Sequence, residues 1–179
     1  MEKQLIIAGF GGQGVLLMGQ LLAYAGMLEG KQVSWMPAYG PEMRGGSANC
    51  SVVISDDSVG SPRVESADVV IAMNRPSMEA FEKNVVSGGL LLYNESLIDV
   101  KPSRTDIRAI GVRCNDIADD LKSAKVANMA MLGAYLGVTG QFTVDAMMDA
   151  LRHKLGPSKE KWMPLNRAAI EAGMKAVQA

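Results

Sequence analysis

The chain has 179 residues, of which 48% are hydrophobic and 21% charged, with a formal net charge of −1. This supplies enough apolar area for one core of ordinary size, and it excludes the strongly basic face that nucleic-acid phosphates require. No run approaches the roughly 20 apolar residues that span a bilayer, and two cysteines without a CxxC pair are too few for an iron–sulfur cluster.

The first residues lead directly into an apolar run that ends at Phe10. The run is too short for the hydrophobic part of a signal peptide and no small-residue cleavage site follows, so a soluble cytoplasmic protein is expected. Lys3–Ala8 reads as a buried strand stopped by glycine, and Gly12–Leu28 as a helix with a broad apolar face and a stop at Gly30. Gln32–Met36 is a second short strand. Pro37–Ser47, with two prolines and several glycines, predicts a loop. Ala48–Ser55 and Asp68–Met73 are strands, and Arg75–Asn84 is a short helix with Pro76 in its first turn. Gly89–Asn94 is a strand and Asp106–Ile110 a weaker one. Helices are predicted over Asn115–Leu121, over Val126–Leu136, from a Thr143 cap to His153, and, beyond Gly156-Pro157, over Leu165–Val177.

Strands alternating with helices predict an α/β fold, a three-layer α/β/α arrangement of Rossmann-like type with a mainly parallel sheet. Ala48–Ser55 follows its predecessor without a helix, so that connection is expected to be antiparallel and the sheet mixed. The helices after Gly140 are expected to pack as an appendage on the sheet. No repeat or linker divides the chain, and residues 1–179 are expected to form a single domain.

The strongest local signal is Gly9-Phe10-Gly11-Gly12-Gln13-Gly14, a GxGxxG pattern between a strand and a helix. Glycine allows close approach to the backbone, and a helix N-terminus offers unpaired N–H groups and partial positive charge. A phosphate or carboxylate suits such a place. The dinucleotide fingerprint also requires an acidic residue after the second strand, and here Trp35-Met36-Pro37-Ala38 stands instead, which disfavours NAD. No Lys-Ser or Lys-Thr follows the glycines, which argues against a P-loop. Tight packing and anion binding remain equally good readings of the turn. The second unusual stretch, Tyr39–Asn49, carries Glu42 and Arg44; Arg44 could meet a phosphate or only pair with Glu42. In a doubly wound fold both loops follow carboxyl ends of strands, where ligands bind.

Together the two loops carry a resemblance. GFGGQGV (Gly9–Val15) followed by YGPEMRGGSANCSV (Tyr39–Val52) resembles the gamma subunit of the 2-oxoacid:ferredoxin oxidoreductases, of 2-oxoglutarate or pyruvate type. Ser66–Met73 and Asn128–Gly133 are similar to that family too. The resemblance implies a multi-subunit enzyme that converts a 2-oxoacid to an acyl-coenzyme A and passes electrons to ferredoxin. It implies thiamine diphosphate, magnesium and iron–sulfur clusters in partner subunits, alpha and beta with a ferredoxin-like delta, and no cofactor held by this chain alone. It makes Gly9, Gly11, Gly12, Gln13, Gly14, Tyr39, Arg44 and Gly45 the candidate residues for coenzyme A, with no catalytic residue and no metal ligand. An isolated gamma chain could hide exposed apolar area as a homodimer. The alternatives are an independent nucleotide- or coenzyme A-binding module and a purely structural subunit.

Single residues are weighed more plainly. Cys50 is expected to be a buried small hydrophobe, His153 a solvated residue at a helix end, and Asp68 a local pairing group. Asn128 is expected to bond a loop backbone or cap a helix. Trp162 is read either as exposed for a subunit contact or as ordinary core.

Overall fold

The computed structural model describes residues 1–38 and 46–179. The elements in chain order are β1 (Glu2–Phe10), α1 (Val15–Leu28), β2 (Gln32–Ala38), β3 (Ser47–Ser55), β4 (Ala67–Ala72), α2 (Arg75–Phe81), β5 (Val85–Asn94), β6 (Arg108–Val112), α3 (Cys114–Asp120), α4 (Ala127–Thr139), α5 (Val144–Leu155) and α6 (Met163–Ala176). Among the described residues no helix is long and apolar enough to cross a membrane.

The strands form one six-stranded sheet in the order β2-β3-β1-β4-β5-β6. β1 pairs in parallel with β4, β4 with β5, and β5 with β6. β3 runs antiparallel to both β1 and β2, as its direct connection predicts, and the sheet is mixed. Because β3 reverses between them, β1 and β2 point the same way, and the residues after both leave from one edge of the sheet. That edge is the carboxyl edge of β1, β4, β5 and β6.

Alternation along the strands divides the core in two. Leu5, Ile7, Val52, Val69, Ile71 and Leu92 face a large cluster with α1, α3, α4, α5 and α6. Ile6, Val53, Val70, Leu91 and Tyr93 face a smaller one covered by Met78 of α2 and by Val64 and Ile98 from the connecting segments. The helical cover is therefore uneven. The C-terminal helices also differ from the expected appendage. α5 packs across α1, and α6 crosses α4 at backbone contact, so together they form a second helical layer.

Local signals explain most boundaries. Asn74 caps α2, its Oδ1 accepting the Ser77 N–H at 2.9 Å, with Pro76 in the first turn. Thr143 caps α5, its Oγ1 accepting the Ala146 N–H at 3.1 Å. α1 starts at Val15 rather than Gly12 because Gly12 and Gly14 have φ of 94° and 74°, outside helical geometry. β2 runs on through Pro37 to Ala38, which is tolerated because β2 is an edge strand.

Candidate functional site

The glycine turn occupies the carboxyl edge where β1 and β4 end side by side. The Met73 N–H donates to Ala8 C=O at 2.8 Å and extends the parallel ladder by one residue. Gln13 then locks the turn to this edge. Its Oε1 accepts the Phe10 N–H at 2.7 Å, and its Nε2 donates to Met73 C=O at 3.2 Å. Gly9 lies beneath that side chain: a Cβ there would be 2.6 Å from Gln13 Oε1 and 2.9 Å from Val15 Cγ1. Gly9 and the Gln13 side chain thus build the turn, and Gln13 also lines the cleft beside it.

Two of the turn's backbone donors are satisfied internally. The Gln13 N–H donates to Phe10 C=O at 3.1 Å, and the Gly11 N–H donates to Gly46 C=O at 3.0 Å. The second bond ties the turn to the base of the other glycine-rich loop, so the two unusual stretches do meet at their bases. Tyr39, Arg44 and Gly45, named from the sequence, lie outside the described residues. The N–H groups of Gly12 and Gly14 have no acceptor among the described residues, and α1 begins without a side-chain cap or an acidic first turn. These groups and the α1 N-terminus give this edge a patch of partial positive potential that no described residue compensates.

That patch opens into a cleft of about 130 Å³ shared by Gly12, Gly14, Met73, Asn115, Lys125 and Asn128. Asn128 begins α4 against the turn. Its Oδ1 accepts the Met129 N–H at 2.9 Å and its Nδ2 points at Gly14 C=O, 3.5 Å away. A Cβ on Gly14 would be 2.3 Å from that nitrogen, so this glycine is required both by its left-handed φ and by the close approach of α4. Behind the cleft the fully buried Asn94 donates through Nδ2 to Met73 C=O at 3.2 Å and to Asn115 Oδ1 at 2.8 Å. Met73 C=O therefore accepts from both Gln13 and Asn94, which fixes the ends of β4 and β5 relative to the turn.

Among the described residues Lys125 is the one cation lining this cleft, and no described carboxylate lines it. The described residues of the cleft suit a small anion and include no nucleophile or general base. The reading of the sequence missed Lys125, Asn94 and Asn115. The only trace of Asn94 in the sequence is a polar residue closing the apolar run Leu90–Tyr93. Lys125 gave no signal, because it nears the turn only when α4 docks.

The other titratable candidates stand apart. Cys50 is buried against α1, and desolvation pushes its thiol up to about 12. Burial also raises Cys114. His153 is exposed at the end of α5, its ring 5.5 Å from that of Tyr24. Asp68 does not pair locally as expected: its Oδ2 accepts the Gln4 N–H of the neighbouring β1 at 2.8 Å. Trp162 is 46% exposed. Among the described residues no three His, Cys, Asp or Glu side chains gather to hold a metal ion.

Residues 4–176 match the family described as pyruvate ferredoxin/flavodoxin oxidoreductase. The chain is 45% identical over 174 residues to ketoisovalerate oxidoreductase subunit VorA of Methanothermobacter marburgensis, a match that covers 96% of this chain and 36% of VorA. It thus spans little more than a third of that relative's length. It is 33% identical over 186 residues to 2-oxoglutarate synthase subunit KorC of the same organism, covering 99% of this chain and 97% of KorC. The crystal structure of the gamma subunit of a keto/oxoacid ferredoxin oxidoreductase from Geobacter sulfurreducens superposes with a TM-score of 0.83 at 28% identity, over 98% of both chains.

Proposed function

The chain belongs to the pyruvate ferredoxin/flavodoxin oxidoreductase family, and on that premise we propose that it is the gamma component of a multi-subunit 2-oxoacid:ferredoxin oxidoreductase. In this reading the assembled cytoplasmic enzyme oxidatively decarboxylates a 2-oxoacid to an acyl-coenzyme A and delivers the electrons to ferredoxin. Thiamine diphosphate with magnesium and the iron–sulfur clusters reside in the alpha, beta and ferredoxin-like delta partners. This chain packs on the thiamine-bearing subunits and helps form the entrance for coenzyme A. Isolated, it associates as a homodimer.

The observation that carries the coenzyme A reading is the sign of the cleft at the glycine turn. The Gly12 and Gly14 N–H groups, the start of α1 and Lys125 converge there, with no acceptor and no carboxylate among the described residues. Sites for whole small ligands occupy about 300–1,000 Å³. At about 130 Å³ the cleft fits a single phosphate group of coenzyme A and not the whole molecule. The chain alone would then bind coenzyme A too weakly to detect, and the partner subunits would supply the remainder of the site. Arg44 and Tyr39 are the proposed further contacts.

The test is made on the assembled enzyme. Lys125→Ala and Arg44→Ala are each expected to raise the coenzyme A KM with kcat little changed. One exposed phosphate contact is worth about 1 kcal/mol, or roughly fivefold. Wild-type KM in both variants would leave the turn as packing only and favour the purely structural subunit. Co-purification of the tagged chain with thiamine- and cluster-binding partners, and oxoacid-dependent dye reduction in the eluate, tests the subunit assignment. The higher identity to a ketoisovalerate subunit than to a 2-oxoglutarate one favours a branched-chain 2-oxoacid as substrate. The same dye assay run with ketoisovalerate, 2-oxoglutarate and pyruvate tests this.

A further inference from the structure

A second cleft, of about 570 Å³, lies at the opposite, amino-terminal edge of the sheet. The fold explains why it is there. α4 ends at Thr139 and Gly140 turns the chain away, so the first residues of β4, β5 and β6 have no helix above them. β5 has Gly88 and Gly89 at this level, and no side chain fills the space. Cross-strand pairing sets Val69, Leu90 and Arg108 in one row on the helix-bearing face, because Val69 pairs with Leu90 and Leu90 with Arg108. Lys3 lies two residues before Leu5, the β1 partner of Val69. The row therefore offers an apolar floor between two cations.

Both cations lack a carboxylate partner among the described residues, as do Arg63 and most of the lysines, of which only Lys31 and Lys101 are paired. Arg75, Arg104, Arg113, Arg152 and Arg167 all have carboxylate partners. Arg108 and Lys3, both lining the cleft, form no ion pair among the described residues. The inner wall is polar and ordered. Tyr135, 1% exposed, donates its hydroxyl to the Gln141 side-chain oxygen, which leaves the Gln141 amide nitrogen as a donor in the cleft. Asp68 also lines the cleft, its Oδ2 held by the Gln4 N–H at 2.8 Å.

We propose that this cleft binds a small aliphatic carboxylate, held by Arg108 and Lys3 with its carbon chain on Val69, Leu90 and Val138. A guanidinium fork matches a carboxylate oxygen for oxygen, and the volume is within the ordinary range of about 300–1,000 Å³ for small-ligand sites. The cleft is at the other end of the strands from the glycine turn, so it is tested on the isolated chain, independently of any partner subunit.

Succinate is the probe, with uncharged succinamide as control, titrated into the full chain while the backbone amide signals of Gly88, Gly89 and Thr139 are followed by NMR. Saturable shifts confined to the cleft are expected with succinate and none with succinamide. Arg108→Ala and Lys3→Ala are each expected to weaken binding roughly tenfold, the loss of one charge-assisted contact. Asp68→Asn keeps an acceptor for the Gln4 N–H and removes a like charge, so it is expected to tighten binding. Absence of saturation with the wild-type chain, an equal response to succinamide, or unchanged affinity in both cation variants overturns the proposal.

Discussion

The two left-handed glycines of the turn separate backbone strain from packing. At Gly12 (φ 94°) a Cβ meets no described atom within 4 Å, so Gly12→Ala is expected to cost the left-handed penalty, roughly 1–2 kcal/mol. At Gly14 the same penalty adds to a Cβ 2.3 Å from Asn128 Nδ2, and Gly14→Ala is expected to cost about 3 kcal/mol or more. Urea melts of the two variants check the difference. Desolvation, the main cause of the raised Cys50 thiol, keeps it protonated at pH values where free cysteine reacts. Cys50 and Cys114 are expected to resist a thiol reagent in the folded chain and to react only after denaturant is added. On the surface the Lys31 ammonium holds the Asp56 carboxyl at about 2, below its ordinary 3.8. A lowered folded-state pKa stabilises above the unfolded value and loses that contribution as pH falls through the folded one. Asp56→Asn is therefore expected to lower stability at neutral pH and to approach the wild type only as pH falls below ~2, read by denaturant melts across that range.

At the scale of elements, the crossing of α4 and α6 is set by two glycines. A Cβ on Gly133 would lie 1.9 Å from Ile170 C=O, and one on Gly173 would lie 1.8 Å from Ala130 C=O. The obstacle in each case is backbone, which cannot rotate aside as a side chain can. Gly133→Ala and Gly173→Ala are each expected to force the helices apart and to cost about 3 kcal/mol; urea melts with near-UV circular dichroism measure the loss. The same crossing explains why the C-terminal helices are no appendage. α6 anchors α4, whose amino end carries Asn128, with Lys125 in the turn just before it, to the glycine turn.

Across the whole molecule, the large core runs from the sheet through α1 and α4 to α5 and α6 without a break. We expect the chain to unfold in one transition, because this core is continuous. Trp35, half-buried beside Gly19 and Cys50, reports the sheet side of α1, while exposed Trp162 precedes α6. In Trp162→Phe, fluorescence of Trp35 and far-UV circular dichroism are expected to give the same midpoint. Separate midpoints would divide the C-terminal helices from the sheet.

Strand and helix order, the antiparallel placement of β3 and the glycine turn between β1 and α1 were all legible in the sequence. They follow from short-range rules: apolar runs, glycine and capping residues act within a few positions of themselves. The family was legible for the same reason, because the two glycine-rich stretches are contiguous in the chain. Tertiary structure alone decided the rest. Lys125 and Asn128 reach Gly14 across more than a hundred residues, and the turn's Gly11 N–H is taken up by Gly46. The amino-edge cleft arises from where α4 stops relative to β5, a relation between elements that no local pattern encodes. The division is physical. Local sequence fixes which backbone shape a segment prefers, but which polar groups are left without a partner, and so available to bind, is settled only when distant elements pack.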